Sequence, residues 1–375
     1  MFNNVDMRFS GAHGVRRSRL AGSDLLSGVD AMVVSDLDNV RYLSGFTGSN
    51  AAVLVWSGAE RDADRICTDG RYSTQVAEQS PDVEAHIARD CPAALIALVA
   101  DRVPGARIAV EGHVLTVAAF EKLSQAAADR GVTLHPFVDA VEGLRIRKDD
   151  GEVELITSAC GIGDDALAAL VERRAIAPGR TERQVARDLE WAMFERGADA
   201  IAFETIVAAG AGSAIPHHRP TDAVLTDGDL VKIDFGAVVS GYHSDMTRTF
   251  VLGEPQEWQR EIYDIVATAQ QAGRDALAVG ADLAGIDAAA RAVITDAGYG
   301  DHYVHGLGHG VGLQIHEAPG IGAAASGTLP DGATVTVEPG IYLPGRGGVR
   351  IEDTLVVTDA GPRSLTTTHR ALRAL

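Results

Sequence analysis

LVKIDFGAVVSGYHSDMTRTF, residues 230–250, decides the fold. Two apolar, β-branched runs flank Ser240-Gly241, the composition of a hairpin turn. In an antiparallel hairpin, facing residues have a constant index sum. A turn centred between Val239 and Ser240 sets that sum at 479, which Asp234 and Asp245 satisfy. Their carboxylates are then expected to face each other, with Cβ atoms about 4.5–5.5 Å apart. Like charges so placed destabilise a sheet, so a positive group is expected between them.

The same construction recurs in TVTVEPGIYLPGRGGVRIEDT, residues 334–354. A turn centred on Gly345 sets Glu338 opposite Glu352. Pro339 has no N–H to give a ladder, which predicts an edge or a bulge there. Between the two hairpins lies His305-Gly306-Leu307-Gly308-His309-Gly310-Val311-Gly312, followed by His316. So many glycines argue against a helix and let histidines point into a site. His217 and His218 follow a proline turn at Ile215-Pro216. Two divalent cations would balance the four carboxylates, the arrangement of two-metal hydrolases. Oxygen-rich ligation with an imidazole suits manganese, cobalt or zinc.

Each feature alone has a bland reading. Asp-Phe-Gly at 234–236 lacks the companion motifs of a kinase, and the glycine run fails the spacing of phosphate loops. No H-E-x-x-H or G-x-S-x-G occurs. The joint pattern, two acidic pairs and a histidine-bearing glycine loop, carries the reading.

The rest of the chain fits around it. Of 375 residues 46% are hydrophobic and 23% charged, as in an ordinary globular protein. A net charge of −19 repels phosphate backbones, so no nucleic-acid partner is expected. Cys67, Cys91 and Cys160 show neither a disulfide framework nor zinc-knuckle spacing. With no apolar run of about 18 residues, no membrane partner is expected. The basic start lacks an apolar h-region, so residues 1–19 read as a possible flexible arm rather than a signal peptide.

Short strands at 31–35, 51–56, 65–68 and 107–110 alternate with helices at 73–78 and 92–99. That predicts a smaller α/β domain over residues 20–142. From residue 143 to 375 the texture is α+β. Helices are expected at 152–174, 181–196, 257–278 and 283–297, the second opened by a Thr181/Gln184 capping box. Strands are expected at 206–209, 230–235, 242–252, 334–337 and 348–357.

At these residues the sequence resembles the pita-bread metallopeptidases, in the branch of Xaa-Pro aminopeptidase and prolidase. The segments Asn39-Val40-Arg41-Tyr42-Leu43-Ser44-Gly45-Phe46 and Thr68-Asp69-Gly70-Arg71-Tyr72 resemble the N-terminal domain of that branch, which methionine aminopeptidases lack. The resemblance implies a creatinase-like N-terminal α/β domain before a pita-bread catalytic domain. It implies metal ligands at Asp234, Asp245, His309, Glu338 and Glu352, with Glu338 also the general base toward a water between two metals. His305 and His316 would hydrogen-bond the scissile carbonyl and the developing oxyanion, and His217 would lie on the proline side. Arg350 would orient a carboxylate ligand or bind peptide; Tyr242 is a further candidate, with a core tyrosine as its other reading.

A peptide with proline at the second position is the implied substrate, and a cytoplasmic homodimer the implied assembly. No lysine or arginine stands between His316 and Gly345 to clamp a dipeptide's carboxylate. That favours an aminopeptidase over a strict dipeptidase, unless Arg350, Arg71 or a partner subunit supplies the charge. A non-catalytic binding protein on the same fold is the reading from another class, and the intact ligand set argues against it.

Overall fold

A computed structural model describes residues 10–58 and 63–375. The chain divides into two compact units, residues 1–145 and 146–375. The division falls three residues past the expected boundary at 142 because Arg145, buried at the end of helix Glu142–Arg145, donates to Asn39 Oδ1 at 2.9 Å within the first unit.

In the first unit a six-stranded sheet runs in the order Glu84–Ile87, Arg65–Thr68, Ala51–Trp56, Ala31–Val34, Arg107–Glu111, Thr133–Phe137. The Ala51–Trp56 strand is antiparallel to both neighbours; the outer pairings are parallel. Helix Cys91–Arg102 packs Leu95, Ile96 and Val99 on Val33, Leu54 and Ile108. The expected arm is a helix, Ser10–Ala21, over its described part; residues 1–9 lie outside the described residues. Its basic residues are anchors. Arg16 and Arg17 donate to the carbonyls of Tyr42 and Leu43 at 3.1 and 2.7 Å. Those carbonyls end helix Leu37–Ser44, where cations complement the unpaired acceptors. A basic run with no apolar stripe reads as a tail, but here it is held by those carbonyls and, at Arg17, also by the carboxylates of Asp82 and Asp64.

The second unit has two cores, each a helix pair on a sheet. Asp150–Glu172 and Glu182–Glu195 pack Leu167, Leu170, Val185 and Leu189 on Val207, Ile233 and Phe250. Both helices open with the capping box, Asp149/Glu152 and Thr181/Gln184. Their sheet runs Arg373–Ala374, Met246–Val251, Leu230–Phe235, Ile206–Ala209. Glu257–Asp275 and Leu283–Asp296 pack Ile262, Val266, Ile286 and Ile294 in a core with Val335, Val337, Leu355 and Val357. Their sheet runs Glu317–Ile321, Gly308–Gly310, Ala333–Val337, Asp353–Thr358, Gly361–Ser364.

The first hairpin differs in register from the expectation. Ser240 and Gly241 both take positive φ, 45° and 77°, so the turn is centred between them. Thr247 faces Asp234, and Val239 faces Tyr242. The second hairpin keeps the expected register on both sides of a break. Gly340 faces Arg350 and Leu343 faces Gly347, while Val337 faces Asp353 beyond it. The continuous runs expected at 242–252 and 348–357 are each split where an expected metal ligand sits, at Ser244-Asp245 and at Ile351-Glu352.

Candidate active site

Strand alternation places the first acidic residue. Val231, Ile233 and Phe235 enter the core, so Lys232 and Asp234 share the opposite face. The slipped register makes Asp245 a diagonal rather than a facing neighbour of Asp234. It moves the index sum by two, so both carboxylates stay on one face. At the break, a Cβ on Gly236 would lie 1.8 Å from the Ser244 carbonyl oxygen, an approach only glycine permits. Gly308 plays the same part for His309, with a Cβ there 2.0 Å from the Thr336 carbonyl oxygen.

These segments converge on one cavity of about 450 Å³. Its wall holds Asp234, Asp245, His309, Glu338 and Glu352, and also His217, His305, His316 and Arg350. Donor atoms of Asp245, His309 and Glu352 lie within 4.8 Å of one another. His309 Nε2 is 3.4 Å from Glu338 Oε1 and 3.6 Å from Asp245 Oδ2. Among the expected residues Tyr242 is not in this wall. It is buried and donates to Glu152 Oε1 at 2.9 Å, in the capping box of the first helix; it is the core tyrosine of the alternative reading.

The residues fit divalent cations. Asp234 Oδ1 and Asp245 Oδ1 are buried without a hydrogen-bond partner. Burial, then the facing carboxylates, pushes Asp245 and Glu352 well above the usual carboxylate range. Burial would raise Glu338 too, yet His309 and Arg350 bring it down to about 2. Carboxylates whose charge is disfavoured by burial and by one another, two of them with a buried, unpartnered oxygen, have the chemistry of a cation site.

Hydrogen bonds fix the roles of the surrounding groups. Arg350 donates to Tyr342 Oη at 2.9 Å, and Tyr342 Oη lies 2.8 Å from His305 Nε2. His305 Nδ1 lies 2.8 Å from the Gly306 carbonyl oxygen, which can only accept. Neutral His305 therefore spends its one N–H on Gly306 and accepts from Tyr342 through Nε2, leaving none for a substrate carbonyl. Burial holds His305 and His316 below the ordinary imidazole range, so both are neutral at pH 7. His316 lines the cavity with its ring centroid 4.3 Å from that of His309. Arg350 is not open to peptide in the expected way. It is 2% exposed and donates to Thr247 Oγ1, the Pro216 carbonyl, Tyr342 and Asp234.

Three buried charges escaped the sequence reading. Lys232 donates to the carbonyls of Ile215 and Pro216 at 2.6 and 3.1 Å, holding the turn that presents His217. Its place on the Asp234 face was readable from the strand period. Glu182 accepts from Ala209 N, Thr221 N and Thr221 Oγ1, and lies 2.8 Å from His218 Nε2, closing the same loop from its other end. Asp353, next to Glu352, collects five donors, three of them arginines; no spacing rule marks it.

Sheets that carry paired carboxylates and a histidine into one cation-fitting cavity define a metal-dependent hydrolase. Comparison with known proteins agrees. Residues 154–359 match the model of metallopeptidase family M24, and residues 16–147 match the creatinase/prolidase N-terminal domain. The Xaa-Pro dipeptidase of Pyrococcus furiosus is 47% identical over 234 residues, covering 62% of this chain and 67% of that protein. The structure of an Xaa-Pro dipeptidase from Bacillus anthracis superposes with a TM-score of 0.87 at 35% identity, covering 98% of this chain and all of that one. An X-Pro aminopeptidase from Thermotoga maritima gives 0.85 at 35% identity, covering 96% of this chain and all of that one. The chain belongs to metallopeptidase family M24, in its pita-bread Xaa-Pro peptidase branch, with a creatinase-type N-terminal domain.

Proposed function

We propose that the protein is a dinuclear metal-dependent exopeptidase that hydrolyses the Xaa-Pro bond at the N-terminus of short peptides. The observation that carries this reading is the set of four carboxylates and His309 around one cavity, two of the carboxylates with orphaned inward oxygens. Asp234, Asp245, His309, Glu338 and Glu352 would hold the cations, with manganese first and cobalt or zinc as alternatives. Cations bound there supply Lewis acidity and lower the pKa of a water. Glu338, ionised at neutral pH, accepts the proton that water gives up. His316 donates toward the carbonyl oxygen as charge develops on it. His305, Tyr342 and Arg350 form a hydrogen-bonded chain ending on Asp234, which holds that ligand and the cavity wall in place. A Xaa-Pro bond has no N–H to grip, so a cavity lined by imidazoles rather than by carbonyl acceptors suits it.

Whether the preferred peptide is a dipeptide or longer divides two versions of this function. Similar proteins carry both names, Xaa-Pro dipeptidase and X-Pro aminopeptidase. A cytoplasmic homodimer is the assembly that goes with the reading; sedimentation of the purified chain tests the dimer. The activity is tested with Ala-Pro and Ala-Pro-Ala, each after EDTA treatment and again after manganese is restored. Metal-dependent release from either peptide supports the function. Inactivity on both, with metal bound, overturns it.

A further inference from the structure

Two guanidiniums stand in the cavity wall, in opposite states. Arg350 is buried and held by four acceptors, one of them a metal-ligand candidate. Taking it over for a substrate would strand a buried carboxylate, which is costly. Lys232, the nearby buried cation, is committed to two backbone carbonyls. Arg219 is different. It lines the same cavity two residues after His217 and is 83% exposed. Its Nε pairs with Glu204 Oε2 at 2.9 Å, and Glu204 is itself 59% exposed and in the same wall. Among the described residues no other acceptor is bonded to Arg219. Its two terminal nitrogens present the fork that matches a carboxylate.

The chemistry of the cavity calls for such a group. A dipeptide carries its carboxylate one residue beyond the scissile bond. The cavity it enters already holds Asp234, Asp245, Glu338 and Glu352. A longer peptide has a neutral amide at that position and needs no cation there. Exposed ion pairs are weak and exchange easily, so Arg219 can leave Glu204 for a substrate without stranding a buried charge. Resting on the Xaa-Pro reading above, we infer that Arg219 is the specificity-determining residue that receives the carboxylate of an Xaa-Pro dipeptide, with Glu204 as the built-in competitor it leaves.

The experiment compares Ala-Pro with Ala-Pro-amide, which differ only in that charge, using the manganese-loaded full-length enzyme. The readout is the ratio of kcat/KM for the acid to that for the amide. Arg219→Gln is expected to lower the ratio about 10-fold, the loss of one charge-assisted contact. Glu204→Gln, which frees the guanidinium, is expected to raise it about two- to fivefold. Opposite movements by two exposed, neighbouring substitutions support the inference, since a general disturbance of the loop would lower both substrates together. Equal losses on acid and amide in Arg219→Gln, or an unchanged ratio, overturn it. A wild-type enzyme that cleaves neither substrate overturns the Xaa-Pro reading itself, and the assignment of Arg219 with it.

Discussion

Replacing Asp353 by asparagine should weaken the fold of the second unit substantially. Asp353 is fully buried beside Glu352. Its Oδ1 accepts from Arg248 Nη2 at 2.6 Å and Thr366 Oγ1 at 2.8 Å. Its Oδ2 accepts from Arg274 Nη1 at 2.6 Å, Gln270 Nε2 at 2.9 Å and Arg370 Nη1 at 3.0 Å. Burial would raise this carboxyl, but the arginines around it, Arg248 foremost, hold it down to about 2. The asparagine keeps the shape and removes the charge. It leaves Arg248, 2% exposed, and Arg274, 16% exposed, without their anion, and turns an amide N–H₂ toward one of them. Breaking a buried pair from one side costs about 3–5 kcal/mol. For a unit of 230 residues each kcal/mol is worth about 2–4 °C, so the melting temperature should fall by about 6–20 °C. Arg370 is 37% exposed, so Arg370→Gln, the control, should cost less than about 1 kcal/mol. Calorimetry on the metal-free protein reads both variants without the contribution of bound metal. A fall of less than about 3 °C for Asp353→Asn, or an equal fall for both variants, would refute the reasoning that one buried carboxylate neutralises this arginine cluster.

Three further outcomes follow from the same structure. Lys232→Met should lower kcat/KM for Ala-Pro by about 10–100-fold by loosening the His217 turn, with metal content unchanged; in a His217→Ala background the same change should have almost no effect, and additive losses would sink the positioning role. Glu182, which burial would raise, is held below the usual carboxylate range by His218 and the loop donors, so its contribution to stability is complete above about pH 4.3 and is lost as pH falls through the lower folded value; Glu182→Gln should flatten that part of the acid-unfolding curve, and an unchanged curve counts against it. Because burial and the facing carboxylates push Asp245 and Glu352 well above the usual carboxylate range in the metal-free cavity, manganese binding should release a non-zero number of protons. Calorimetric titration in two buffers of different ionisation enthalpy measures that number, and a value of zero would mean the carboxylates were already ionised.

What was legible in the chain follows the range over which each signal acts. Alternation within a strand and pairing across a short turn are local, so the faces of Asp234, Glu338 and Glu352 could be read directly. The register of the first hairpin could not. It depends on Ser240 adopting a left-handed conformation, which a serine seldom takes and no neighbour announces. The error was harmless to the site only because it moved the index sum by two, an even step that leaves every side chain on its own face. Charges bound to backbone carbonyls were missed altogether. Arg16, Arg17 and Lys232 each donate to carbonyls that are free only once a helix end or a proline turn is in place. Asp353 gathers arginines from residues 248, 274 and 370, and nothing within one window of sequence joins them.

The breaks in the two hairpins explain how local elements become a single site. Ile351 N–H donates to the Pro339 carbonyl, so 339 and 351 form the hydrogen-bonded pair, and Glu338 and Glu352 beside them turn their own N–H groups outward. Glu338 N–H donates to the Leu307 carbonyl, two residues before His309. Glu352 N–H donates to the Thr247 carbonyl, two residues after Asp245. Side chains repeat the exchange: Thr354 Oγ1 donates to the Asp245 carbonyl, and Thr247 Oγ1 to Glu352 Oε2. Each glutamate is thus tied by its own backbone to the segment that carries another ligand. Spacing between ligands is then set by main-chain hydrogen bonds rather than by side-chain rotamers, which suits a site whose carboxylates repel one another until a cation arrives. Pro339 has no N–H to give and sits at that break, yet the register is the same on both sides of it, so alternation alone turns the two glutamate N–H groups toward the neighbouring segments.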